Sequence, residues 1–349
     1  MERSSAWVMG LALSAVFGCA REPAGDEAGE TEDTAAGTED GQTSSEGETG
    51  SGSTSESESS SDDAGTSSES EDTSSDDATS GESEGTSSET GTETDTGSAV
   101  GCDRPVFVND FDDDTPGPYV DLADWNDPPW DSGVEEGRVE IIEGDDAFAG
   151  RSLRIHYPEG GVGPSQGGAQ WRLEFDASYT ELYLAYRIRF APGFDFVKGG
   201  KIPGLVGGTA PTGCVEDQTG FSARGMWRTD GRAVQYMYWP EKVENCGDDY
   251  DYMLDDTPVT FAPGQWHLVE HRLRMNTPGV ADGVLQAWMD GELVLDEQDF
   301  LYRTADYDYA VDAMYFSTFF GGSGADWAPT TDETVDFDDF VVCEGPITH

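Results

Sequence analysis

The chain has 349 residues and a formal charge of -54, from 18 Lys and Arg against 72 Asp and Glu. A protein this acidic is not expected to bind nucleic acid generally, because counterion release needs clustered Lys and Arg. No run of about 20 apolar residues is present, so no membrane-spanning helix is expected.

Residues 1–19 read as an export signal. Arg3 supplies a positive start, Ala6 to Phe17 is an apolar run of 12 residues, and Gly18 precedes Cys19. Such a run is too short to span a bilayer as a stable helix. Val16-Phe17-Gly18-Cys19 resembles a bacterial lipobox, which implies that Cys19 is lipidated and becomes the mature N-terminus. An ordinary cleaved signal with an incidental cysteine is the alternative.

Residues 20–100 carry 24 Asp and Glu against the single base Arg21, and hold no Phe, Trp, Tyr, Leu, Ile or Met. This composition cannot bury enough apolar surface to offset its ordering entropy. A disordered, self-repelling Ser/Thr/Gly tether is expected, long enough to hold a catalyst or binder away from a membrane. The expectation is an exported protein, lipid-anchored at a bacterial surface or secreted. Ala20 stands where bacterial lipoproteins kept at the inner membrane commonly have Asp, so the outer membrane is favoured.

Residues 101–349 contain eight of the nine Trp and enough chain for one core. Their 47 acids and 16 Lys and Arg leave a formal charge of -31. Four cysteines remain besides Cys19, an even number that suits an oxidising compartment. Of the three possible pairings, Cys102–Cys343 with Cys214–Cys246 is expected. Cys102 opens the domain, Cys343 nearly closes it, and terminal strands of sandwiches are often neighbours. A metal site is the rival, without a Cys-x-x-Cys spacing to support it.

Short β-rich runs alternate here with Gly, Pro and Asp, and there is no long helical period. Strands are expected at Val106–Phe111, Ser152–Tyr157, Gln170–Phe175, Leu182–Phe190, Phe221–Trp227 and Ala233–Trp239. Others are expected at Trp266–Met275, Val284–Met289, Glu292–Leu295, Ala313–Phe320 and Val335–Val342. Asp290-Gly291 between two such runs is a hairpin signal. The fold class is therefore all-β, a two-sheet jelly-roll sandwich whose curvature offers one concave face.

Seven bases (Arg187, Arg189, Lys198, Lys201, Arg224, Arg228 and Arg232) fall in one 46-residue window with only four acids. This is either a cationic cleft for an anionic ligand or a set of outward residues paired with distant acids. Ser222 and Arg224 lie two apart on one expected strand, Tyr236 and Tyr238 two apart on the next, with Thr229-Asp230-Gly231 as the turn. A hairpin would gather all four on one face and turn Phe221, Ala223 and Trp227 to the core. The tyrosines could equally be cross-strand packing. Upstream, Lys198 to Leu205 is a Gly-rich segment able to approach a ligand closely. Cations, phenols and a hydroxyl without a carboxylate pair suit β-elimination on a uronic acid. There the sugar carboxylate is neutralised, a base takes the proton beside it, and an acid protonates the leaving glycosidic oxygen.

The strings KGGKIPGLVGG, FSARGMWRTDG and YMYWP, with the later MNTPG, WMDGELV, STFFGG and FDDF, resemble polysaccharide lyase family 14, whose characterised members are mostly alginate lyases. The resemblance runs from about Val106 to Val342 and implies a β-jelly roll. It implies a catalytic set of Lys201, Ser222, Arg224, Tyr236 and Tyr238. Arg224 and Lys201 would neutralise the carboxylate, while Tyr236, Tyr238 or Lys201 transfers protons. Ser222 would orient substrate or a partner. Lys198, Arg228 and Trp239 are expected to bind substrate, an anionic polysaccharide, in a monomer that needs no cofactor.

Other signals are weaker. His267 and His271 are four apart in a strand-like run and lack the Glu of a metalloprotease helix, so part-buried strand histidines are expected rather than a metal site. His156 and His349 have no partners in sequence. Asp112, Asp113, Asp114, Asp121, Asp124 and Asp127 do not match a calcium loop and read as solvated charge. Trp227, Trp239 and Trp288 could stack on sugars or fill the core. A non-catalytic lectin-like module would need the cationic face without both tyrosines. A sandwich hydrolase would need two carboxylates about 5–10 Å apart, and only Asp336 and Asp338, in the closing segment, alternate on one strand.

Overall fold

The computed structural model describes residues 101–322 and 324–348. The signal, the lipobox with Cys19, the tether and His349 lie outside the described residues. The strands in chain order are β1 (Pro105–Asn109), β2 (Gly117–Pro118), β3 (Asp131–Ser132), β4 (Val139–Glu143), β5 (Arg151–Tyr157) and β6 (Ala169–Tyr179). Then come β7 (Glu181–Phe190), β8 (Gly199–Gly208), β9 (Gly220–Arg228), β10 (Ala233–Tyr238), β11 (Asp248–Asp251) and β12 (Met253–Leu254). The last six are β13 (Thr257–Pro258), β14 (Trp266–Arg274), β15 (Gly283–Met289), β16 (Glu292–Phe300), β17 (Val311–Phe320) and β18 (Glu333–Cys343).

Sixteen of the strands form two antiparallel sheets packed as a sandwich, and β12 pairs with β13 in a separate two-stranded sheet. One runs β16-β15-β14-β7-β18-β5-β4-β2, with β1 paired to the C-terminal half of β18. The other runs β11-β10-β9-β8-β17-β6-β3. Period-two alternation turns Tyr186, Ile188, Phe190, Val335 and Phe337 of the first sheet inward. They meet Trp171, Leu205, Phe221, Trp227 and Phe316 of the second in one continuous core. The Asp290-Gly291 hairpin forms between β15 and β16, both residues at positive φ (54° and 84°) as the tight turn requires. Disulfides join Cys102 to Cys343 and Cys214 to Cys246.

Seven strands were not foreseen. Six of them, β2, β3, β4, β11, β12 and β13, are only two to five residues long. β8 carries Gly199, Gly200, Gly204, Gly207, Gly208 and Pro203, a composition that argues against a strand. Its glycines make room for neighbours. A Cβ on Gly200 would lie 2.1 Å from the Trp227 ring, and one on Gly207 would lie 2.6 Å from the Phe221 ring. The Pro203 imide, which donates no hydrogen bond, sits where the β8–β9 register shifts, between Ile202 and Gly204.

The two strand histidines do not form a metal site. Four residues along a strand separate side chains by about 13 Å. His271 is buried, accepts from Leu205 N at 3.4 Å, and is held neutral by burial that pushes its pKa down to about 3. His267 Nε2 accepts from Ala262 N at 2.9 Å, so its Nδ1 donates to Asp290 at 2.8 Å. Among the described residues, no three His, Cys, Asp or Glu gather to hold a metal.

Candidate active site

The β9–β10 hairpin turns at Thr229–Gly231, with Asp230 at φ 60° and Gly231 at φ 78°. Its register sets Tyr236 opposite Arg224 and Tyr238 opposite Ser222. These four side chains share the outer face of the seven-stranded sheet, while Phe221, Ala223 and Trp227 fill the core behind them. On the other side of β9, β8 places Lys201 opposite Met226. Lys201, Ser222, Arg224, Tyr236 and Tyr238 are each 1% exposed or less.

Lys201 Nζ lies 3.1 Å from Met226 Sδ and 4.1 Å from the Tyr236 ring centroid. The Tyr236 and Tyr238 rings meet edge to face at 5.5 Å. Gly247 N donates to the Tyr236 hydroxyl at 2.9 Å, and Cys214 N donates to the Tyr238 hydroxyl at 3.2 Å. Arg224 faces Gly204 on β8. With no side chain in the way, its guanidinium crosses that strand to reach β17. There Nη1 donates to Ser317 Oγ at 3.2 Å, and Cζ lies 5.7 Å from the Tyr315 ring centroid.

The remaining two nitrogens of Arg224 are the informative ones. Nε and Nη2, with Ser222 Oγ beside them in register, are buried and without a hydrogen-bond partner among the described residues. Nε and Nη2 are the fork by which an arginine grips both oxygens of a carboxylate. The same fork is used by Arg154 on Asp336 (2.7 and 3.1 Å) and by Arg228 on Asp249 (2.9 and 2.7 Å). Leaving such donors unmade costs about 1–3 kcal/mol each. Two such donors side by side have the geometry to take both oxygens of an anionic group.

The seven-base window does not make one cleft. Arg187 and Arg189 lie on β7 of the other sheet, bound to Asp339 and Asp336 and stacked on Phe148 and Trp266. Lys198 pairs with Asp326, Arg228 with Asp249 and Arg232 with Asp251. These five are outward residues paired with acids elsewhere. Arg224, in contrast, meets no carboxylate among the described residues. Lys198 also lies 5.6 Å from the Trp327 ring centroid, and Arg228 lies 5.4 Å from the Tyr236 ring centroid, at the margin of the site.

Trp239 does not join the tyrosines. It follows Tyr238 by one residue, so strand alternation turns it to the opposite side. It packs on Phe300 at 4.7 Å and donates to Asp248 at 2.8 Å. Trp227 is core, while Trp288 is half-buried on β15 of the other sheet. Sequence reasoning missed four residues of the site's outer face. Tyr315 and Ser317 stand beside Arg224, Gln170 donates to Tyr315 at 3.0 Å, and exposed Trp130 lies 5.9 Å from Tyr315. For Tyr315 and Ser317 the signal was the alternation Ala313, Tyr315, Ser317 within an expected strand whose two faces had not been told apart.

Asp336 and Asp338 stand on β18 of the other sheet. Asp336 is gripped by Arg154 and Arg189. Asp338 accepts from Ser152 at 2.5 Å, and burial pushes its pKa up to about 8. Neither touches the tyrosine face, so they are not the acid pair of a hydrolase centred there.

The profile of the family described as Polysaccharide lyase 14 matches residues 146–340. Among solved structures, the alginate lyase Aly36B is 24% identical over 70% of this chain and 100% of its own, with a TM-score of 0.60. A mutant of Aly36B in complex with an alginate tetrasaccharide gives the same figures. A marine PL-14 alginate lyase from Aplysia kurodai is 24% identical over 69% of this chain and 99% of its own, with a TM-score of 0.56. At that identity the likeness is one of fold. No curated protein sequence matches the chain.

Proposed function

The chain belongs to the polysaccharide lyase 14 family, and we propose that it cleaves an anionic polyuronate, alginate or a related glucuronan, by β-elimination on the outer face of its seven-stranded sheet. The observation that carries this reading is the buried Nε–Nη2 fork of Arg224, without a partner among the described residues, on the strand that also carries Ser222 and runs between those of Lys201 and the two tyrosines. A uronate carboxylate seated on that fork is neutralised, which makes the proton on the adjacent ring carbon acidic. The charge that spreads onto the carboxylate as this proton leaves is bound more tightly than the ground state, because the donors are fixed in advance and shielded from water. Lys201, Tyr236 and Tyr238 are the proton carriers. One takes the ring proton and another protonates the glycosidic oxygen as its bond breaks. No bound group is needed in this scheme, since charge neutralisation comes from Arg224 and Lys201.

Lys198, Arg228 and exposed Trp130 would line the approach of neighbouring sugars, Trp130 by stacking. Two disulfides suit an oxidising compartment. With the sequence of residues 1–100, the reading is an exported monomer anchored by a lipid on Cys19, held at the outer membrane by an acidic tether.

The test is ultraviolet absorbance of the unsaturated product as the full chain acts on a panel of polyuronates, beside Lys201→Ala and Tyr238→Phe. Absorbance should rise on one polymer with the wild type and fall at least about 100-fold in each variant. Saturable binding to a polymer with no absorbance on any would replace the lyase by a surface carbohydrate-binding module.

A further inference from the structure

Two connections meet over the tyrosine pair. Residues 209–219 join β8 to β9, and residues 239–247 join β10 to β11. The Cys214–Cys246 disulfide ties one to the other, and Lys242 of the second reaches Glu216 of the first at 2.5 Å. Each connection delivers one backbone N–H to one phenol, from Cys214 to Tyr238 and from Gly247 to Tyr236. The donors are therefore a disulfide cysteine itself and the residue after its partner. The half-cystines pack in the same small cluster as Met226, Val234 and both tyrosines, apart from the main core.

Neither donor adopts its position on local preference alone. Cys214 has φ 62°, a left-handed conformation that a residue with a side chain keeps only when its surroundings enforce it. Gly247 lies flat on Tyr236, where a Cβ would approach the ring carbons to 2.8 Å.

We propose that the Cys214–Cys246 disulfide is a positioning element for proton transfer, holding one backbone N–H on each phenol oxygen of Tyr236 and Tyr238. The inference rests on the reading of these tyrosines as proton carriers. An N–H donated to a phenol oxygen favours its charged form, and it also fixes the direction in which the oxygen can take or give a proton. Whether a given tyrosine serves as base or as acid, the limb it sets in the pH profile lies at lower pH with the N–H in place.

The experiment compares the full chain with a Cys214→Ser, Cys246→Ser double variant. The control is a Cys102→Ser, Cys343→Ser double variant, which removes the disulfide on the other sheet. The first should lose about tenfold or more in kcat with KM changed less than about threefold, and its tyrosine limb should move to higher pH. The control should melt earlier with that limb in place. An unmoved limb and kcat in the first variant, or an equal displacement in the control, overturns the proposal. Amide hydrogen exchange at Cys214 and Gly247 reads the clamp without any substrate. It should accelerate in the first variant and not in the control, and equal protection in both overturns the proposal. Reduction and reoxidation of the wild type should remove and restore the protection without any substitution. Failure of the lyase reading shows separately, as a wild type inactive on every polyuronate.

Discussion

Replacing Arg224 by Met separates what the residue does for the fold from what it does for the reaction. In the fold, the Arg224 side chain makes one hydrogen bond among the described residues, to Ser317, and lies against Tyr315, while its Nε and Nη2 are buried without partners there. The bond is worth about 1 kcal/mol and each unmade donor costs about 1–3 kcal/mol. Met is unbranched and of similar reach, so it keeps most of the packing. Ser317 still has Gln170 at 3.4 Å to receive its proton. The balance favours Arg224→Met by about 1–5 kcal/mol, and at about 2–4 °C per kcal/mol the melting temperature rises by several degrees or more. The reaction, in contrast, loses two charge-assisted hydrogen bonds worth about 1.5–3 kcal/mol each, so kcat/KM falls about a hundredfold to ten-thousandfold. Calorimetry and the ultraviolet lyase assay on one preparation decide the matter. A lower melting temperature with activity retained would refute the argument that the fold bears an energetic cost to keep that fork open.

Other consequences follow from the same geometry. Arg224→Lys keeps the charge but not the fork, and it should recover only part of the activity lost in Arg224→Met, read as kcat/KM on one polymer. Asp338 has its pKa pushed up to about 8 by burial, so its contribution to stability is full below the ordinary carboxylate value and is lost as pH rises through its folded value. Urea midpoints should therefore fall from about pH 5 to about pH 9, and Asp338→Asn should flatten that slope. Loop entropy gives about 4 kcal/mol for the disulfide spanning 32 residues and about 5–6 kcal/mol for the one spanning 241. Removing the Cys102–Cys343 disulfide should thus lower the unfolding free energy more than removing Cys214–Cys246, measured by urea titration.

Much of the site was legible because a strand repeats every two residues. That period alone set Ser222 and Arg224 with Tyr236 and Tyr238 and sent Phe221, Ala223 and Trp227 to the core. The same parity also sends Trp239 away from Tyr238, a consequence that its place beside the tyrosines in sequence concealed. Strand β8 was hidden because its glycines serve its neighbours, making room for Trp227 and Phe221 rather than expressing any preference of their own. The cationic window misled for a different reason. The carboxylates that occupy Arg187 and Lys198 stand 152 and 128 residues away, on β18 and before it, so no local count could find them. Tyr315 and Ser317 escaped because they lie two strands from Arg224, brought within reach only by the bare backbone at Gly204.

The central claim is that this face breaks a glycosidic bond by elimination, without adding water. Digestion of the susceptible polyuronate in water enriched in heavy oxygen, followed by mass spectrometry of the oligosaccharides, tests it most directly. Elimination predicts products whose masses sum to that of the substrate, with an unsaturated sugar at one new end and no heavy oxygen at the other. Products heavier by one water for each bond cut, with heavy oxygen at the new reducing end, would mean hydrolysis and would contradict the account.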